Sequence, residues 1–109
     1  MSMNVKELAE SMLSAMQGVL SEKWPEIKDY AEAEAKKLAQ SLVMIEALNA
    51  ANKIDAEEAA LHLSIQKNAS QMVLLTIKGL GVLAAEQSLN AALEVVKETV
   101  NTALGFTLI

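Results

Sequence analysis

An all-α fold is what this 109-residue sequence predicts, and three observations predict it. Apolar residues recur at three-four spacing along most of the chain, the pattern that puts a stripe on one face of a helix. Two stretches, Asn4-x-x-Glu7 and Asp55-x-x-Glu58, match the capping box that starts a helix. Hydrophobic residues make up 52% of the chain but aromatics only 3%, so burial must come from Leu, Ile, Val, Met and many Ala, which favours closely approaching helices.

Helix 1 is expected over about 4–20, with Asn4 as N-cap and Val5, Leu8, Met12, Ala15, Met16 and Val19 on its face. A break or kink is expected near 20–25, where the stripe slips phase, Ser21 can cap a new helix, and Pro25 fits a first turn whose N–H groups lack partners anyway. Helix 2, about 22–52, carries Trp24, Ile27, Ala31, Leu38, Leu42, Ile45 and Leu48 on one face, and Asn49 and Asn52 can end it.

From Ile54 a heptad register runs without a slip: Ile54, Leu61, Asn68, Leu75, Val82, Leu89, Val96 and Ala103 at d, Glu58, Ile65, Met72, Gly79, Glu86, Leu93 and Val100 at a. The phase passes straight through "KGLG", whose flanks "VLLTI" and "VLAA" are apolar and offer no capping side chain. The preferred reading is therefore one long helix 3 of about 49 residues, about 56–104, with helices 1 and 2 packed back along it as an antiparallel hairpin; two interior glycines cost such a helix about 2 kcal/mol. The alternative is an up-down-up-down four-helix bundle with a turn at Gly79–Gly81. Gly105 can terminate the last helix and leaves an apolar tail, 105–109. Length predicts a single domain.

A nucleotide loop is the other reading of the glycine pair, since Gly79, Gly81 and Ala84 fit G-x-G-x-x-A. That fingerprint works inside a parallel sheet with an acidic residue at the end of the second strand, and this sequence offers neither.

Composition closes several classes of chemistry. With no cysteine there are no disulfides, thiolate metal sites or cysteine nucleophiles. Nine lysines, scattered and unaccompanied by arginine, stand against fourteen acids for a net charge of −5, which disfavours nucleic acid and anionic membrane surfaces as partners. The apolar run Met72–Ala85 is interrupted by Lys78 and falls short of the ~20 residues needed to span a bilayer. With acids inside its first ten residues, "MSMNVKELAESML" does not read as a secretory signal, so a cytoplasmic location is the expectation.

Few residues could carry chemistry. His62, the only histidine, stands one turn after Glu58, a spacing compatible with joint metal ligation. Glu86 at an a position and Glu34 on the helix 2 stripe could join them in a carboxylate bundle holding a divalent metal such as iron or manganese. The ferritin-like pattern uses Glu-x-x-His twice, however, whereas here Glu-x-x-x-His occurs once. On a straight helix 3, a two-fold dimer about Met72 would carry Glu58 and His62 to Glu86 of the other chain. The structural alternatives are a capping box for Glu58, a rim position for His62, a register-setting seam residue for Glu86, and pairing with Lys37 for Glu34.

The leading functional expectation is a non-catalytic interaction protein without a cofactor, a homodimer or higher oligomer joined through Met72, Leu75, Gly79, Val82, Leu83 and Leu89, with the tail "FTLI" packed on its own oligomer or, as the alternative, offered to a protein partner. A metal-binding bundle and a peripheral membrane-surface protein are the other two readings.

Overall fold

In the computed structural model, which describes residues 3–109, four α-helices follow one another: α1 (Val5–Val19), α2 (Trp24–Ala50), α3 (Ala56–Leu74) and α4 (Val82–Leu104). The predicted helix spanning 56–104 is not formed, and the turn that divides it gives the four-helix alternative.

Local signals account for most boundaries. Asn4 starts α1, its Oδ1 accepting from the Glu7 N–H at 3.1 Å, which is one half of the expected box. After Val19 the chain bends at Leu20 and makes a 3₁₀ turn, Ser21–Lys23, before α2 begins with Pro25 in its first turn. The predicted break is thus a full reversal, and Ser21 contributes no side-chain cap to either helix. At the end of α2, Asn52 takes a left-handed φ of 58°, and the Lys53 N–H reaches the Leu48 carbonyl at 2.9 Å while Asn52 N–H reaches Asn49, a Schellman ending. Both halves of the Asp55–Glu58 box form, at 2.8 and 3.1 Å. Gly105, at φ 80°, closes α4 by donating to the Asn101 carbonyl.

The turn at 75–81 arises differently. Leu75, Thr76 and Ile77 donate in succession to the carbonyls of Gln71, Val73 and Leu74, tightening the last turn of α3, and Gly79 then adopts φ 85°. Two of its apolar residues, Ile77 and Leu80, pack against the core, while Leu75 stays exposed. A greasy turn is tolerable when it plugs the end of a bundle, and that is why the flanks of "KGLG" misdirect a reading based on polar turn chemistry.

Three tertiary hydrogen bonds show the helix directions. Met3 N–H meets the Glu46 Oε1 at 2.9 Å, Asn49 Nδ2 approaches the Leu104 carbonyl at 3.5 Å, and Ser41 Oγ donates to Gln66 Oε1 at 3.4 Å. The start of α1 therefore lies beside the end of α2, and α2 and α4 end together. In the bundle, 42 Å long and 22 by 18 Å across, α1 is packed between α2 and α4, whereas α3 rests mainly on α2 and only lightly on α4.

The core is aliphatic: Met12, Met16, Ile27, Leu38, Leu42, Ile45, Leu74, Leu89 and Val100 are fully buried, with alanines where helices approach. Met12 and Met16, on the predicted face of helix 1, are buried, while Met44 and Met72 lie at the surface. The tail folds back on its own bundle. Asn101 Oδ1 accepts from the N–H groups of Leu108 and Ile109, and Phe106, Leu108 and Ile109 pack on the core.

Candidate interaction surface

The heptad register points opposite ways on the two helices that share it. On α4 its a and d residues Leu89, Leu93, Val96 and Val100 are buried in the core. On α3 the same positions face out: Leu61 is 61% exposed, Ile65 68% and Met72 70%. Leu75 continues that row into the turn, and Val82 and Leu83 stand exposed at the start of α4.

What α3 turns inward is less apolar than what it turns outward. Its buried side chains are Ala59, Leu63, Ser70 and Leu74, with Gln66 half-buried between them. Ser70 Oγ accepts from Gln66 Nε2 at 3.2 Å, and Gln66 Oε1 accepts from Ser41 of α2, so a chain of polar contacts holds α3 to α2. Periodicity identifies a helix here and favours the wrong face as core.

Along the outward face, Ala60 and Ser64 leave a shallow depression bounded by Glu57, Glu58 and Leu61. Asn68 is the one polar side chain in the middle of the row. Acids gather at the helix start (Asp55, Glu57, Glu58), and Lys78 lies in the turn beyond its end; all four are exposed.

Of the predicted interface residues, Met72, Leu75, Val82 and Leu83 are at the surface and Gly79 forms the turn. Leu89 is buried in the chain's own core, at 0% exposure, because α4 reverses direction after the turn.

The predicted ligand residues are spread over the bundle. Glu58 is exposed, its main-chain N–H and one carboxylate oxygen both engaged by Asp55. His62 is half-buried one turn later. The Ser41–Gln66 contact sets the level of α3 on α2, and from it His62 lies about 16 Å along the bundle from the level of Glu34. Glu34 is 2% exposed and paired with Lys37 Nζ at 3.1 Å. Glu86 is exposed in the second turn of α4, toward the opposite end from His62. Among the described residues no three His, Asp or Glu side chains gather as a metal-binding group. The interchain Glu58–His62–Glu86 arrangement requires one straight helix, which the reversal at 75–81 does not provide.

A second concavity lies between α1 and α2, with Val5, Ala9 and Leu13 on its floor and Lys6, Glu10, Glu32 and Lys36 on its rim. It contains neither a histidine nor a hydroxyl nucleophile. No helix among the described residues is long and apolar enough to cross a membrane. Comparison with protein families, with curated proteins and with solved structures gives no match.

Proposed function

We propose that the protein is a non-catalytic helical interaction module that docks another macromolecule through the outward face of α3. The observation that carries this reading is the inversion of α3: Leu61, Ile65, Met72 and Leu75 face solvent while Gln66 and Ser70 face the bundle. Fully burying a side chain of this size is worth roughly 1.5–3 kcal/mol, and these four are 38–70% exposed, so a partner on this row gains a part of that at each position. Exposed apolar rows along one helix face, here broken at Asn68, mark interaction sites, whereas single exposed apolar residues are ordinary. The non-catalytic part rests on the sole histidine, whose helical neighbour Glu58 spends its carboxylate on the cap of α3.

A photo-crosslinking amino acid placed at position 65, with position 94 on the exposed side of α4 as control, tests the reading in cell extract. Adducts from position 65 and none from 94 are expected. Equal labelling at both positions, or none at 65, would overturn it. Elemental analysis of the purified chain, prepared without chelator, tests the carboxylate-metal alternative independently.

A further inference from the structure

Given that docking face, we infer that its occupant is a second copy of this chain, with the two α3 helices packed antiparallel about a two-fold axis between Ile65 and Asn68. The inference rests on the docking reading above and adds the partner and its register.

Spacing supplies the first argument. In that register Leu61 lies opposite Met72 of the partner subunit, Ile65 opposite the partner's Asn68, and Glu58 opposite the partner's Leu75. Each layer joins an a position to a d position, and the two-fold repeats every contact, as an isologous interface requires. The depression at Ala60 and Ser64, beside Leu61, then receives Met72 of the partner subunit, a flexible side chain suited to an irregular hole. Asn68 near the axis is the kind of single polar seam residue that fixes register.

Charge supplies the second. Antiparallel packing sets the acidic start of one α3, with Asp55, Glu57 and Glu58, beside the turn that carries Lys78 in the other copy. Parallel packing would stack the acids of the two copies on one another. Opposed helix dipoles favour the same choice.

The test uses the purified full chain, which has no cysteine of its own, so introduced thiols are the only ones present. Leu61→Cys and Met72→Cys are prepared singly and oxidised alone and mixed, while light scattering follows the mass of wild type and Ile65→Glu. All three positions are exposed, and circular dichroism verifies that each variant keeps its helices. The expected result is a dimer of the 11.7 kDa chain. Disulfide should form between the two variants in the mixture and scarcely in either alone, and Ile65→Glu should weaken dimerisation by more than about tenfold. A disulfide between two copies of the Leu61→Cys variant would overturn the antiparallel register and leave the α3 face in use. A wild-type monomer at high micromolar concentration would overturn self-association; adducts from position 65 in extract would then still support docking of another partner, and their absence would remove both.

Discussion

Two helices of this protein carry one uninterrupted heptad pattern, and the fold uses it in opposite ways. On α4 the row Leu89, Leu93, Val96, Val100 is the core, pressed against α1. On α3 the row Leu61, Ile65, Met72 faces solvent, and the helix is held to α2 by alanine, leucine and the polar contacts of Gln66 and Ser70. A period of apolar residues states that a helix has a face. Which side of the molecule that face looks toward depends on the path of the chain, and here seven residues, 75–81, decide it.

The largest test of this contrast is truncation at two apolar positions of the one heptad row, d on α4 and a on α3. Leu89→Ala should cost about 2–5 kcal/mol, the range for emptying a fully buried aliphatic site. Met72→Ala should cost less than about 0.5 kcal/mol in the unfolding of the monomer, because its side chain is already in water. Urea denaturation followed by circular dichroism, at concentrations too low for association, checks both. Similar costs at the two sites would break the contrast.

Next in size is the turn. Gly79 sits at φ 85°, and a Cβ there would meet Lys23 Nζ at 2.5 Å, so although the lysine tip can move, Gly79→Ala should destabilise by about 1–2 kcal/mol. In a continuous helix the same substitution would stabilise by about 1 kcal/mol. The sign of the change in thermal midpoint therefore separates the two paths of the chain. Asp55→Ala removes the side-chain half of the complete capping box and should cost about 1 kcal/mol, read by the same melt. Smallest is Gly81→Ala: φ is −80° and nothing lies within 4 Å of the added methyl, so only the preference for glycine over alanine at the N-cap of α4 is lost, less than about 1 kcal/mol.

What the sequence made legible follows the range of the interaction. The Asp55–Glu58 box, the asparagine ending at Asn52 and Gly105 as a left-handed stop are closed by bonds between residues at most five apart, and Pro25 suits a first turn through its own missing N–H, so local chemistry writes them. The pairing of Glu34 with Lys37 was legible for the same reason, but its 2% exposure was not, because burial depends on which helices lie over it. The turn at 75–81 stayed hidden because its anchors, Ile77 and Leu80, are satisfied by the core instead of by capping side chains, and Gly79 reveals its left-handed geometry only in three dimensions. Of the α3 face, the sequence singles out Met72 and Leu75 and not Leu61 and Ile65; Val82 and Leu83 are exposed on α4, and Leu89 belongs to the core that the reversal creates.

The most direct test of the reversal is a distance between the start of α3 and the end of α4. Spin labels on Glu57→Cys and Thr102→Cys, both exposed positions in a chain with no other cysteine, can be measured by pulsed electron resonance after dilution into unlabelled protein, so that only pairs within one chain are read. The antiparallel path predicts a separation of about 20 Å, one or two helix spacings. A separation near 68 Å, the length of an unbroken helix between those residues, would contradict it and return α3 and α4 to a single rod.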